Sequence, residues 1–204
     1  MTTTNFMITG VGGQGTILCG DILAAVGLDA GYDVKKSDTL GLAVRGGAVV
    51  GQVRWGDRIY SPIIPEGCVD YLIAFETLEG VRWLHQLRPL GSVLLNQQEI
   101  DPVTVSSGLA AYPSNTDVSQ ALAAASEHVY RVPGLAIARD LGNARVLNVV
   151  LLGSLSALLP VDRRMWQSAL TKRVPAKYLD LNLRAFRSGL QWMEFRRCTP
   201  CESL

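Results

Sequence analysis

Near the start of the chain stands Gly10-Val11-Gly12-Gly13-Gln14-Gly15. It follows the apolar run Phe6-Met7-Ile8 and leads into Ile17, Leu18, Ile22, Leu23 and Val26 at helical spacing. Strand, glycine loop, helix is the order that holds a phosphate, because the N–H groups at a helix start face an anion or a partner's acceptor. A lone G-x-G-x-x-G does not name a function, since many tight strand-to-helix turns bind nothing. A second stretch, residues 37–47, carries hydroxyls at Ser37 and Thr39, glycines at 41, 46 and 47, and Arg45. Arg45 offers an anion a planar fork of donors, or bonds loop carbonyls of its own fold. In a third stretch Asn143 and Asn148 flank Arg145 within apolar sequence. Their amides must find partners, in the glycine loop's backbone or in another subunit.

Other residues weigh for or against particular chemistries. Lys35-Lys36 close the expected second strand, where a dinucleotide-binding fold places an Asp or Glu for the ribose. Two ammonium groups there suit phosphates or an acidic partner and count against a nicotinamide dehydrogenase. Glu76 follows a buried strand at the sheet edge where ligands bind, and is read first as the cap of the next helix. His128 is read as structural. Cys198 and Cys201 make half a metal site, but Cys19 and Cys68 have no matching spacing, so no metal is expected on this chain.

The elements that must position these residues read as strands at 5–9, 32–36, 48–55, 70–75, 92–95 and 128–132. The second strand is expected parallel, residues 59–61 are expected to return against 48–55 as a β-hairpin, and 103–105 to form a short strand. Helices are expected over 16–30, 79–87, 117–125, 133–141, 149–159, 162–171 and 176–190. This is an α/β pattern: a Rossmann-like open, mostly parallel sheet with helices on both faces, a β-hairpin insertion and a C-terminal helical extension. Residues 1–190 read as one domain and 191–204 as a tail.

Composition bounds the reading. The 204 residues are 48% hydrophobic and 18% charged, enough for a substantial core. A net charge of +1 gives no field for nucleic acid or an anionic membrane. The first residues lack the basic region of a signal peptide, so a cytoplasmic protein is expected.

In this order, residues 10–15, the Thr-Leu-Gly-Leu-Ala-Val-Arg-Gly-Gly core within 37–54, residues 142–155 and the Val-Pro-Ala-Lys-Tyr-Leu-Asp-Leu-Asn run from Val174 resemble the gamma-type domain of 2-oxoacid:ferredoxin oxidoreductases. The resemblance spans about 5–190 and is nearest to the small-subunit type of the aryl-pyruvate enzymes. It implies a large (alpha) partner subunit carrying thiamine diphosphate and iron–sulfur clusters, a 2-oxo acid substrate, coenzyme A as acyl acceptor and ferredoxin as electron acceptor, with no cofactor held tightly by this chain alone. Gly10, Gly12, Gly13, Gln14, Gly15, Ser37, Thr39, Arg45, Gly46, Gly47 and Asn143 would line the inter-subunit cleft and meet a cofactor phosphate or the partner's backbone. The chain departs from the pattern at Val44, where the family often has glutamine, and at Gly51-Gln52, where it often has Ser-His. Both changes bear on which 2-oxo acid is used. The alternatives are a self-contained nucleotide-binding oxidoreductase and a purely structural assembly subunit.

Overall fold

The first strand, β1 (Thr4–Val11), takes the centre of the sheet because both its faces are apolar and buried from Asn5 onward. The computed structural model describes residues 3–40 and 47–198. Alternate side chains of β1 enter two cores. Phe6 and Ile8 meet α1 (Thr16–Asp29), α6 (Leu147–Ser156), α7 (Arg163–Arg173) and α8 (Leu179–Cys198). Met7 lies in the other core, with Val118 and Leu122 of α4 (Asn115–Ala125) and, packed against them, Val81 of α2 (Thr77–Arg82).

Among the described residues six strands form one sheet, ordered β2-β3-β1-β4-β5-β6. The strands are β2 (Asp33–Leu40), β3 (Ala48–Gly56), β4 (Val69–Ala74), β5 (Leu87–Asn96) and β6 (His128–Val132). β3 pairs antiparallel with both β1 and β2, so β2 runs in the direction of β1 without touching it. The remaining pairs are parallel. This is the expected open α/β sheet with helices on both faces. No helix among the described residues is long and apolar enough to cross a membrane.

Three local expectations change. The hairpin is β2 with β3, not β3 with 59–61, because both edges of β3 are already occupied. The Ile59 N–H goes instead to Asp33 Oδ2, at 2.8 Å. Residues 103–105 are helical: α3 (Val103–Ser106) closes on Pro102 O, which accepts from Val105 and Ser106. The helix expected over 79–87 ends at Arg82, and β5 begins at Leu87 with Pro89 inside it. Pro89 is tolerated because the register slips there, from Val69 opposite Leu87 to Tyr71 opposite Ser92. The helix expected over 133–141 is α5 (Gly134–Asp140), which connects β6 to the turn before α6. α8 continues unbroken through Leu190 to Cys198.

The crossing of α6 and α8 is set by two glycines. A Cβ on Gly153 would lie 2.1 Å from Phe186 O, and one on Gly189 would lie 2.0 Å from Val150 O. Ser154 Oγ donates to Gly189 O across the same contact, at 3.1 Å. The clash is with backbone, which cannot rotate away. Gly153→Ala and Gly189→Ala should each lower stability by about 3 kcal/mol, well beyond the roughly 1 kcal/mol that alanine gains in a helix interior. Urea unfolding checks this; midpoints equal to wild type would show that the helices do not cross so closely.

Candidate functional site

The glycine loop is built around the side chain of Gln14. Its Oε1 accepts from Val11 N at 2.7 Å, and its Nε2 donates to Phe75 O at 3.1 Å and Gln98 Oε1 at 3.2 Å. Gly10 makes room for this: a Cβ there would sit 2.8 Å from Gln14 Oε1 and from Phe75 Cβ. The Gly12 N–H donates to Gly47 O at 2.9 Å, which joins the first glycine stretch to the base of the second. Gly13 has φ +101 and Gly15 φ +84, the left-handed region that favours glycine. Gly15 is the N-cap of α1 and provides no side-chain cap.

β1 and β4 are neighbours, and their following helices lie on opposite faces. The crevice between them is the switch point where open α/β sheets bind nucleotides. Here the chain fills it. Residues 96–98 lie across the strand ends, with Asn96 Nδ2 donating to Phe75 O at 2.9 Å and Thr77 N to Gln98 O at 2.9 Å. Gln14 closes the remaining side. A dinucleotide pyrophosphate at this position would have to displace these bonds.

Glu76 is buried and caps α2 as expected. Its carboxylate accepts from Glu79 N at 2.8 Å, from Ile100 N at 3.1 Å and from the Tyr112 hydroxyl. Burial and the Glu76 charge push the Tyr112 phenol well above its ordinary range. Burial also raises Glu79, with Glu76 adding to the shift and Arg82 opposing it.

The third stretch reaches the loop through a residue that the sequence left outside the site. After α5 the chain turns at Gly142, φ +88. Asn143 then turns the chain, its Oδ1 accepting from Arg145 N at 3.0 Å. Asn148, 2% exposed, packs on Gly15: a Cβ there would lie 3.1 Å from Asn148 Nδ2. Asn143, Arg145 and Asn148 share a cavity of about 150 Å³ with Leu18 of α1, with Tyr178 just before α8, and with Leu181 and Asn182 in its first turn. A buried amide beside the start of a glycine-led helix was the available signal.

β2 contributes less directly. Ser37 faces Gln52 and Thr39 faces Val50, so β3 stands between them and β1. Arg45 and Gly46 lie outside the described residues. The expectation that the lysine pair awaits an anion is corrected. Lys35 pairs with Asp33, and Lys36 with Asp21 at 2.7 Å and Asp38 at 2.5 Å, so three carboxylates already answer two ammonium groups. Among the described residues no group of three or more His, Cys, Asp or Glu is placed to hold a metal.

The family model described as pyruvate ferredoxin/flavodoxin oxidoreductase matches residues 5–192. The chain belongs to this family. It is similar to the indolepyruvate oxidoreductase subunit IorB of Pyrococcus horikoshii, 35% identical over 92% of this chain and 94% of that one. Among solved structures, the gamma subunit of a keto/oxoacid ferredoxin oxidoreductase from Geobacter sulfurreducens has TM-score 0.68 and 25% identity, covering 94% of this chain and 99% of that one. A 2-oxoglutarate:ferredoxin oxidoreductase from Magnetococcus marinus shares the fold, with TM-score 0.73 and 21% identity. The match covers 96% of this chain but 32% of that longer one. Family membership gives the glycine loop its context: a 2-oxoacid oxidoreductase subunit whose own switch-point crevice is filled.

Gln14→Leu should cost about 1–3 kcal/mol, because it strands the Val11 N–H and removes a donor from Phe75 O. Amide exchange at Val11 and Gly12 should accelerate with it; unchanged protection would mean that Gln14 does not hold the loop. Glu79 gives a pH signature. Its folded pKa lies above its unfolded one, so its contribution is complete below the unfolded value and is lost as pH rises through the folded value. Glu79→Gln should therefore raise the melting temperature near neutral pH. The gain should shrink as pH falls toward about 4, where the unfolded glutamate protonates. A gain independent of pH would assign the effect to packing instead.

Proposed function

We propose that the chain is the small subunit of a heteromeric 2-oxoacid ferredoxin oxidoreductase, acting on indolepyruvate or a similar aryl pyruvate to yield an acyl-CoA. The observation that carries this reading is coverage. The chain is similar along nearly its whole length to a separate subunit named for indolepyruvate. Its fold occupies only about a third of a longer chain bound to a 2-oxo acid and coenzyme A in the Magnetococcus protein. A chain of this kind is one module of a larger machine, and a large subunit supplies the rest. Thiamine diphosphate held by that subunit would supply the carbanion chemistry, its iron–sulfur clusters would pass electrons to ferredoxin, and coenzyme A would take the acyl group.

The role of this chain is to bind, orient and exclude water. Gln14 holds residues 10–15 in a fixed shape, and Gly12 ties them to Gly47. The loop therefore serves as one wall of a cleft completed by the large subunit, with Ser37, Thr39, Arg45, Gly46 and Asn143 as its further contacts. The filled switch point supports this over a self-contained nucleotide enzyme, because the usual dinucleotide position is taken by residues 96–98 and Gln14.

The test is co-expression with the large subunit and assay of several 2-oxo acids with coenzyme A and ferredoxin. The complex should turn over aryl pyruvates and the chain alone should not; turnover by the isolated chain overturns the reading. Arg45→Ala should lower turnover per assembled complex about tenfold or more while leaving assembly intact, the loss expected for one charge-assisted contact made in the cleft. Weakened assembly with normal turnover would instead make this a purely structural subunit.

A further inference from the structure

The two edges of the sheet are not alike. β2, at one edge, carries Asp33, Lys35, Lys36 and Asp38, charges of the kind that discourage an edge from pairing with another chain. β6, at the other edge, reads His128-Val129-Tyr130-Arg131-Val132, with no proline, no lysine and an unbroken register on β5. β5 also fixes which way its main chain faces. Val132 O accepts from Gln97 N at 3.1 Å, so the backbone groups of His128, Tyr130 and Val132 face β5, and alternation turns those of Val129 and Arg131 outward. Among the described residues these outward N–H and C=O groups have no hydrogen-bond partner.

There is room beside the strand on both faces. A hollow of about 470 Å³ lies between β6 and α4, lined by Leu122, Glu127, Val129 and Arg131. A second, of about 140 Å³, lies toward α8, lined by Tyr130 and Trp192. Arg196 of α8 borders both. It is exposed, with its guanidinium carbon 5.7 Å from the Trp192 ring centroid, so an incoming strand can displace it without disturbing the core. Glu127 and Arg131 stand four positions apart beside the larger hollow. Arg131 donates to Ser119 Oγ at 2.8 Å, but neither charge has an ion-pair partner among the described residues.

We propose that β6 pairs antiparallel with β6 of a second copy of this chain, so that one sheet continues through two molecules related by a two-fold axis. Centred on Tyr130, the pairing uses the whole strand. Val129 stands opposite Arg131 of the second copy, and the two exchange both main-chain bonds that are now unmet. The two Tyr130 rings meet on the α8 face. Glu127 of each copy lies diagonal to Arg131 of the other, within reach of long side chains. An edge that carries an acid and a base in this order becomes its own complement when reversed, and this favours a second copy over an unrelated strand. The pairing uses only this chain and does not depend on the large-subunit reading.

The test is sedimentation equilibrium of the full chain over a wide range of concentrations, with circular dichroism to check that each variant is folded. The mass of the wild type should rise from one chain toward two. Glu127→Lys, at an exposed position, and Arg131→Glu should each weaken the dimer about tenfold, because each sets like charges across the axis. The double variant, Glu127→Lys with Arg131→Glu, should restore it. Val129→Pro should abolish it, since this change removes an outward N–H and none of the bonds to β5, and proline is tolerated at a sheet edge. A chain that stays monomeric at every concentration overturns the proposal, as does a double variant no tighter than the single ones. A monomeric chain whose Val129→Pro variant fails to join a co-expressed large subunit gives this edge to a different protein, and that outcome also overturns it.

Discussion

One amide side chain fixes the arrangement on which the candidate site depends. Gln14 holds its own loop through Val11 N, and the end of β4 and the connection after β5 through Phe75 O and Gln98 Oε1. Its bonds span 61 and 84 residues of sequence. They require Gly10, because any Cβ at that position would occupy the space of the amide. They also determine where Gly15 can be, and so where α1 begins. A glycine loop is often free to close on a phosphate. This one is already closed on its own chain.

The second constraint is the backbone contact of α6 with α8. Gly153 and Gly189 let the two helices approach until carbonyls replace side chains at the interface. That contact fixes α6, whose first turn holds Asn148 against Gly15. The two constraints meet at the groove: Gln14 places the start of α1 from the sheet side, and the glycine pair places Asn148 from the helical side.

Much of this was legible in the chain. The glycine loop and α1 follow from local spacing, and so does the cap at Glu76, which accepts from a backbone N–H of the following helix. The place of β3 was not legible. Its partners are chosen by long-range pairing, and an apolar stretch before Pro62 and Pro65 reads equally well as the return of a hairpin. The fate of Lys35 and Lys36 was hidden for a similar reason. Asp33 and Asp38 are near in sequence, but only strand alternation and the position of α1 show that Asp21 faces Lys36. The filling of the crevice was wholly hidden, since nothing near Gln14 in sequence announces Gln98. Asn148 was visible as a polar residue in apolar surroundings, and the fold shows that its contact is Gly15.

The filled crevice bears on how such a subunit contributes to catalysis. An open α/β sheet that binds a free nucleotide needs its switch point empty, and it gives up backbone donors there to the ligand. Here Gln14, Asn96 and Gln98 consume that capacity internally, and the loop becomes rigid. Rigidity has little value for capturing a ligand that this chain would hold alone. It has value for a surface that must meet a second protein at a fixed distance from reacting atoms, where an error of about 1 Å costs on the order of a hundredfold in rate. Internal hydrogen bonds at the usual ligand position are therefore what a wall of a shared cleft requires.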